Sequence, residues 1–246
     1  MGWYLMFAVG AAAVVAAVVR ARSGSARQRA LLRLCADAGL ACAMVDPFPD
    51  TTLLPFRVFG WGSAHGVENV VWDGGDDRAI RVFDLWVQPR PDEGRWTMTC
   101  GVVPLPFSVP TIAILSRGQV DPSGEPVTGA VVHLELDAFE ERFEVRADDP
   151  RAAVALLDQR MMATLLRLPV RVAIHVHEDS MLMVAPTLEP GEMLLLVACA
   201  KAVAGRVPPV VASLYPPRPA RGPYEQRWLQ GSWSPDPTSA DASEPS

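Results

Sequence analysis

The chain has 246 residues, half of them hydrophobic, with a mean hydropathy of +0.16, 23 prolines, four cysteines and a formal charge of −6. These values exclude a collagen-like, disulfide-dense or wholly disordered protein and leave room for one sizeable core with tails. Charge is unevenly spread: Arg20, Arg22, Arg27, Arg29 and Arg33 precede the first acidic residue, Asp37, which leaves 17 basic against 28 acidic residues, or −11, after Arg33. A body that acidic excludes broad nucleic-acid binding, which needs a net basic footprint.

The first element is the charge-free run Trp3 to Val19, which with Met1 and Gly2 makes 19 uncharged residues before Arg20. A helix needs about 20 apolar residues to cross a bilayer, with about 17 as the lower limit. Trp3 and Tyr4 stand at one end and Arg20 and Arg22 at the other, where interfacial anchors belong. A cleaved signal peptide carries its basic residues before the apolar stretch, whereas here they follow it. The expectation is a single-pass anchor in the cell membrane over residues 1–19. The positive-inside rule then puts residues 20–246 in the cytoplasm. Cys35, Cys42, Cys100 and Cys199 form no C-x-x-C pair, which suits small buried hydrophobes in a reducing compartment.

A basic linker is expected over 20–29, a globular domain over 30–207 and a Pro-rich, largely disordered tail over 208–246, where nine of 39 residues are proline. Within the domain, Ala30 to Leu40 reads as the end of an amphipathic helix with Leu31, Leu34, Cys35 and Ala38 on one face and Gly39 as its stop. Asp46 to Pro55, with three prolines, reads as a loop. Val67–Trp72, Ala79–Val87, Arg95–Val103 and Thr111–Leu115 are β-rich runs split by short turn clusters, which favours antiparallel pairing.

After the loop Gln119 to Gly129, Ala130–Leu136 alternates as a strand, putting His133, Glu135 and Asp137 on one solvated face, and Arg142–Arg146 makes a short strand. Asp148-Asp149-Pro150 then caps a helix whose Val154, Leu157, Met161, Leu165 and Leu168 recur every three or four residues. Val170–Val176 and Met181–Val184 flank the polar stretch His177–Ser180 and read as a hairpin. A last apolar helix, Met193–Ala204, is closed by Gly205 and followed by Pro208-Pro209. The fold class is α+β: a mainly antiparallel sheet packed with about three helices, behind one N-terminal transmembrane helix.

No motif marks a reaction. Gly60, Gly62 and Gly66 miss the dinucleotide spacing, since the third glycine would fall at His65 and a strand pattern follows. His175 and His177, at i and i+2, share a strand face and are weak candidates for a metal pair without an identified third ligand. No cofactor is implied.

Phe139, Arg142, Phe143, Val145, Arg146, Ala147, Asp148, Asp149, Pro150 and Arg151, followed by Leu156, Leu157, Asp158, Arg160, Met161, Met162, Leu165 and Leu166, form a recognisable segment. With Val82-Phe83-Asp84 and the closing helix before Pro208, it resembles a group of membrane-anchored proteins of actinobacterial type, loosely over residues 30–210. That resemblance implies one N-terminal span and an α+β domain of unknown function. It implies no activity.

The preferred expectation is therefore a non-enzymatic module with the lipid bilayer and a cytoplasmic protein as its partners, and no nucleic acid. Arg20, Arg22, Arg27, Arg29 and Arg33 form its membrane-surface basic cluster, each base near an anionic leaflet being worth about 1 kcal/mol. The alternative is a metal-dependent or small-molecule enzyme using the His175/His177 region. Pro216-Pro217-Arg218-Pro219 has polyproline character and reads as a linker.

Overall fold

The computed structural model describes residues 26–48, 50–73, 80–118, 120–125 and 127–216. The expected span, Arg20, Arg22 and most of the expected tail lie outside these residues. No helix among the described residues is long and apolar enough to cross a membrane.

Seven strands form one sheet: β1 (Ala41–Val45), β2 (Ala64–Trp72), β3 (Arg81–Gln88), β4 (Trp96–Ser116), β5 (Ala130–Val131), β6 (Phe143–Ala147) and β7 (Ala173–Pro186). The order is β1-β2-β3-β4-β6-β5, with β7 along the other side of β4, and every pairing is antiparallel. The helices number six among the described residues, not about three: α1 (26–38), α2 (Asp137–Arg142), α3 (Pro150–Leu156), α4 (Gln159–Leu166), α5 (Pro190–Ala204) and α6 (Pro209–Leu214). The α+β class and the antiparallel sheet hold.

The extra helices have local causes. The periodic run after Asp149 breaks in two because Asp158 adopts an extended cap conformation and its carboxylate accepts from the Met161 N–H at 2.8 Å, starting a new helix. Val154, expected inside, is left 55% exposed while Ala152, Ala153 and Leu156 face the core. The alternation over Ala130–Leu136 pairs as a strand only through Val131. The Glu140 carboxylate then accepts from the Leu134 N–H at 2.7 Å and the chain coils into α2, so His133, Glu135 and Asp137 share no strand face. Gly129, at φ 83, turns the chain so close to β6 that a Cβ there would sit 2.2 Å from the Ala147 carbonyl carbon.

Two expected interruptions are absent. The runs Arg95–Val103 and Thr111–Leu115 are one 21-residue strand, β4, since Pro104, Pro106 and Pro110 fall where its ladder with β7 slips and few N–H groups are required. The expected hairpin over 170–184 is the single strand β7. Its polar stretch bends instead of reversing, with Glu178 in the left-handed region at φ 53. The irregularity inserts one residue, so Ile174 and Val176 face the helices before the bend and Met181, Met183 and Ala185 after it.

The sheet buries both faces. On one, α1 and α3 to α6 cover Phe107, Ile112, Ile114, Met181 and Met183. On the other, residues 51–60, with 3-10 turns at Thr51–Leu53 and Arg57–Gly60, bring Phe56, Val58 and Phe59 onto Phe83, Leu85 and Met98. Each large apolar side chain so buried contributes about 1.5–3 kcal/mol. Gly39, at φ 67, ends α1 as its sequence indicates, and β1 follows at once. The domain reaches past residue 207, because α6 buries Val211 and the Tyr215 hydroxyl donates to Asp149 at 2.6 Å.

Candidate functional site

Four-residue spacing on α1 puts Arg27, Leu31 and Cys35 on one inward face. Leu31 and Cys35 are fully buried, whereas Leu34, expected beside them, is 37% exposed and Ala38 is exposed too. Arg27 continues the buried stripe, and a guanidinium inside a domain requires an acidic partner. Asp84 supplies it. It stands mid-strand in the apolar run Val82-Phe83-Asp84-Leu85, 1% exposed, with an oxygen 2.5 Å from Arg27 Nη1.

A polar knot closes around that carboxylate. Asn69 Nδ2 donates to it at 2.8 Å from β2 and the Thr99 hydroxyl donates at 2.9 Å from β4. Arg27 Nη2 donates to the Leu188 carbonyl, and the Leu188 N–H donates to Thr99 Oγ1 at 2.9 Å. Asn69 reaches Asp84 because β2 bulges between Glu68 and Val71, with Asn69 itself at φ 55. α1, β2, β3, β4 and the entry to α5 are thus tied at one point.

Of the basic cluster, Arg27 is committed to this knot, while Arg29 and Arg33 are exposed on α1. Asp84, Asn69 and Thr99 were not singled out by sequence reasoning. The signal was present: one carboxylate in an apolar strand calls for a cation or hydrogen-bond donors to meet it.

The histidines do not converge on a metal geometry. His175 is buried and its Nε2 lies 2.6 Å from Asp121, on the loop after β4, while half-buried His177 places Nδ1 3.1 Å from the Thr111 hydroxyl. Burial pushes the Asp121 carboxyl up, but the His175 hydrogen bond and charge and the Ser123 bonds outweigh it and hold Asp121 below its ordinary value. His133 is exposed and meets Glu140 at 3.3 Å. No group of three His, Cys, Asp or Glu among the described residues is placed to hold a metal ion. The buried thiols are also unsuited to chemistry: burial pushes Cys35 up to about 12 and raises Cys199, and burial with the charges of Asp84, Asp121 and Glu125 raises Cys100.

Among the described residues, two spaces bear on ligand binding. Ile114, Leu157, Met161, Leu165, Met181 and Val203 enclose a closely packed apolar space. An open cleft of about 550 Å³ is lined by Ser116, Arg117, Ala138, Glu141, Arg142 and Arg171. Its charge is partly internally matched, since Arg117 donates to the Glu140 carbonyl at 2.7 Å and faces Glu144 at 3.9 Å, and Arg142 donates to the Leu166 carbonyl.

No family model matches the chain, and no curated protein matches it in sequence. Among solved structures, the crystal structure of the mycobacterial trehalose monomycolate transport factor A, TtfA, is similar, with a TM-score of 0.55 and 14% identity over 78% of this chain and 98% of that one. At that identity the likeness is one of fold. It covers the α+β domain and agrees with that fold class.

Proposed function

We propose that this chain is a single-pass membrane protein whose α+β domain faces the cytoplasm and acts without catalysis, engaging anionic lipid or a partner protein at the inner leaflet. The observation that supports this most is the fastening of α1. Arg27 ties the first described turn of the chain to Asp84 in the sheet, so α1 is held on the domain within a few residues of the uncharged run 1–19 and of Arg20 and Arg22 in the sequence.

The likeness to TtfA, named as a transport factor for trehalose monomycolate, supports a role in moving or handling lipid rather than transforming it. Arg20, Arg22, Arg29 and Arg33 are the residues assigned to the anionic surface, with Arg27 serving the fold.

Vesicle flotation of the chain lacking residues 1–19 tests the electrostatic part. At about 1 kcal/mol per base, neutralising those four arginines should weaken binding to phosphatidylglycerol vesicles by about 10²- to 10³-fold at low salt. Unchanged flotation would remove the arginines from the membrane contact.

A further inference from the structure

Of the four tryptophans among the described residues, Trp72 packs on Phe48 at one end of β2, and the other three gather at the opposite end of the sheet. Trp96 opens β4 and is 54% exposed, with its ring 5.6 Å from that of Trp61. Trp86, near the end of β3, lies over Gly66, where an added Cβ would come within 2.7 Å of the ring. Arg95 caps that ring with its guanidinium 4.0 Å from the centroid. Alternation along the strands puts Trp86 on the helix-bearing face with Asp84, and Trp96 on the other face with Met98. The rim is therefore aromatic on both faces of the sheet.

The chain enters the domain where Arg27 reaches Asp84, over the middle of β3. Arg27 sits level with Asp84 and Thr99, while Trp86 and Trp96 lie two or three strand residues further on, about 7–10 Å beyond. Only residues 20–25 separate Val19 from the first described residue, a tether of at most about 25 Å. A bilayer holding residues 1–19 therefore has its surface within reach of this rim. The headgroup layer, about 5–8 Å deep on each side, is the zone that tryptophan prefers, with its apolar body and polar N–H.

We infer that Trp61, Trp86 and Trp96, with Arg95, form the face on which the domain rests against the headgroup layer of the bilayer that holds its own N-terminal segment. This rests on the membrane reading above and adds the orientation of the domain. The contact is aromatic rather than electrostatic, because the charges at this end are mixed: Arg90 pairs with Glu93 at 3.2 Å, Asp92 stands in the same turn, and Glu189 and Glu192 are occupied in capping α5. Insertion of tryptophan at the interface does not depend on anionic lipid, and it survives salt that screens the arginines.

The test uses the full chain labelled with 5-fluorotryptophan, reconstituted in phosphatidylcholine nanodiscs with and without a gadolinium chelate on the lipid headgroup. Resonances are assigned by single Trp→Phe replacement. Broadening of Trp61, Trp86 and Trp96 together with Trp3, while Trp72 stays sharp, is expected, and it should persist in about 1 M salt, where the Debye length is about 3 Å. If Trp3 broadens and the rim residues behave as Trp72 does, the docking face is overturned and the anchor stands. Should Trp3 stay sharp as well, the membrane reading falls with it. Equal broadening of Trp72, or loss of the effect in salt, also overturns the docking face.

Discussion

Replacing Asp84 by alanine strands a guanidinium, an amide and a hydroxyl that all now donate to one carboxylate. Breaking a buried ion pair by removing one partner costs about 3–5 kcal/mol. Arg27 is 22% exposed and recovers some hydration, and Thr99 keeps its contact with the Leu188 N–H, so about 3–4 kcal/mol is expected for Asp84→Ala. With a urea dependence of about 2–3 kcal/mol per molar, the unfolding midpoint followed by tryptophan fluorescence should fall by about 1–2 M. The amides of α1 should lose hydrogen-exchange protection before those of β3, because α1 is the element that the pair fastens. Arg27→Met with Asp84→Leu should restore part of the loss, since it removes the stranded guanidinium while the Asn69 amide and the Thr99 hydroxyl still lack their acceptor. A cost below about 1 kcal/mol, the scale of exposed pairs, or a double variant no better than the sum of the singles, would refute the view that this pair holds α1 to the sheet.

Asp121 is held below its ordinary value, so its contribution to stability is complete above about pH 4 and is lost as pH falls through the lower folded value. Asp121→Asn should flatten the acid limb of a stability-against-pH curve below pH 4, and an unchanged limb would contradict the His175 contact. Burial and raised thiol pKa values predict that Cys35, Cys100 and Cys199 resist iodoacetamide at pH 8 until urea unfolds the chain, as read by mass spectrometry; rapid labelling of the native protein would contradict the packing. Equimolar Zn²⁺ should leave the melting temperature unchanged, because His175 and His177 already face Asp121 and Thr111. A clear rise would restore the metal reading.

The sheet and its class were legible because period-two patterning and turn clusters are local signals, and Gly39 and Pro150 mark their helix boundaries directly. What escaped was set by long-range pairing. His177 to Ser180 has the composition of a turn, yet β7 runs straight through it because β4 offers partners on both sides of the bend. The three prolines in β4 read as breaks only if each residue must donate to a ladder, and here they fall where the register slips. Asp158 carries both a helical period and a cap signal, and the cap prevailed. For the site, the five arginines were visible as a block, but only the three-dimensional pairing with Asp84, 57 residues away, separates Arg27 from the rest. The rim tryptophans come together from three segments and carry no shared local pattern.

Carbonate-washed membrane fractionation with protease protection of a C-terminal tag decides whether residues 1–19 anchor a cytoplasm-facing domain. The full chain is expected to stay in the washed membrane with its tag on the cytoplasmic side, and deletion of residues 1–19 to release it. A tag protected on the far side, or a shortened soluble product from the full chain, would contradict it.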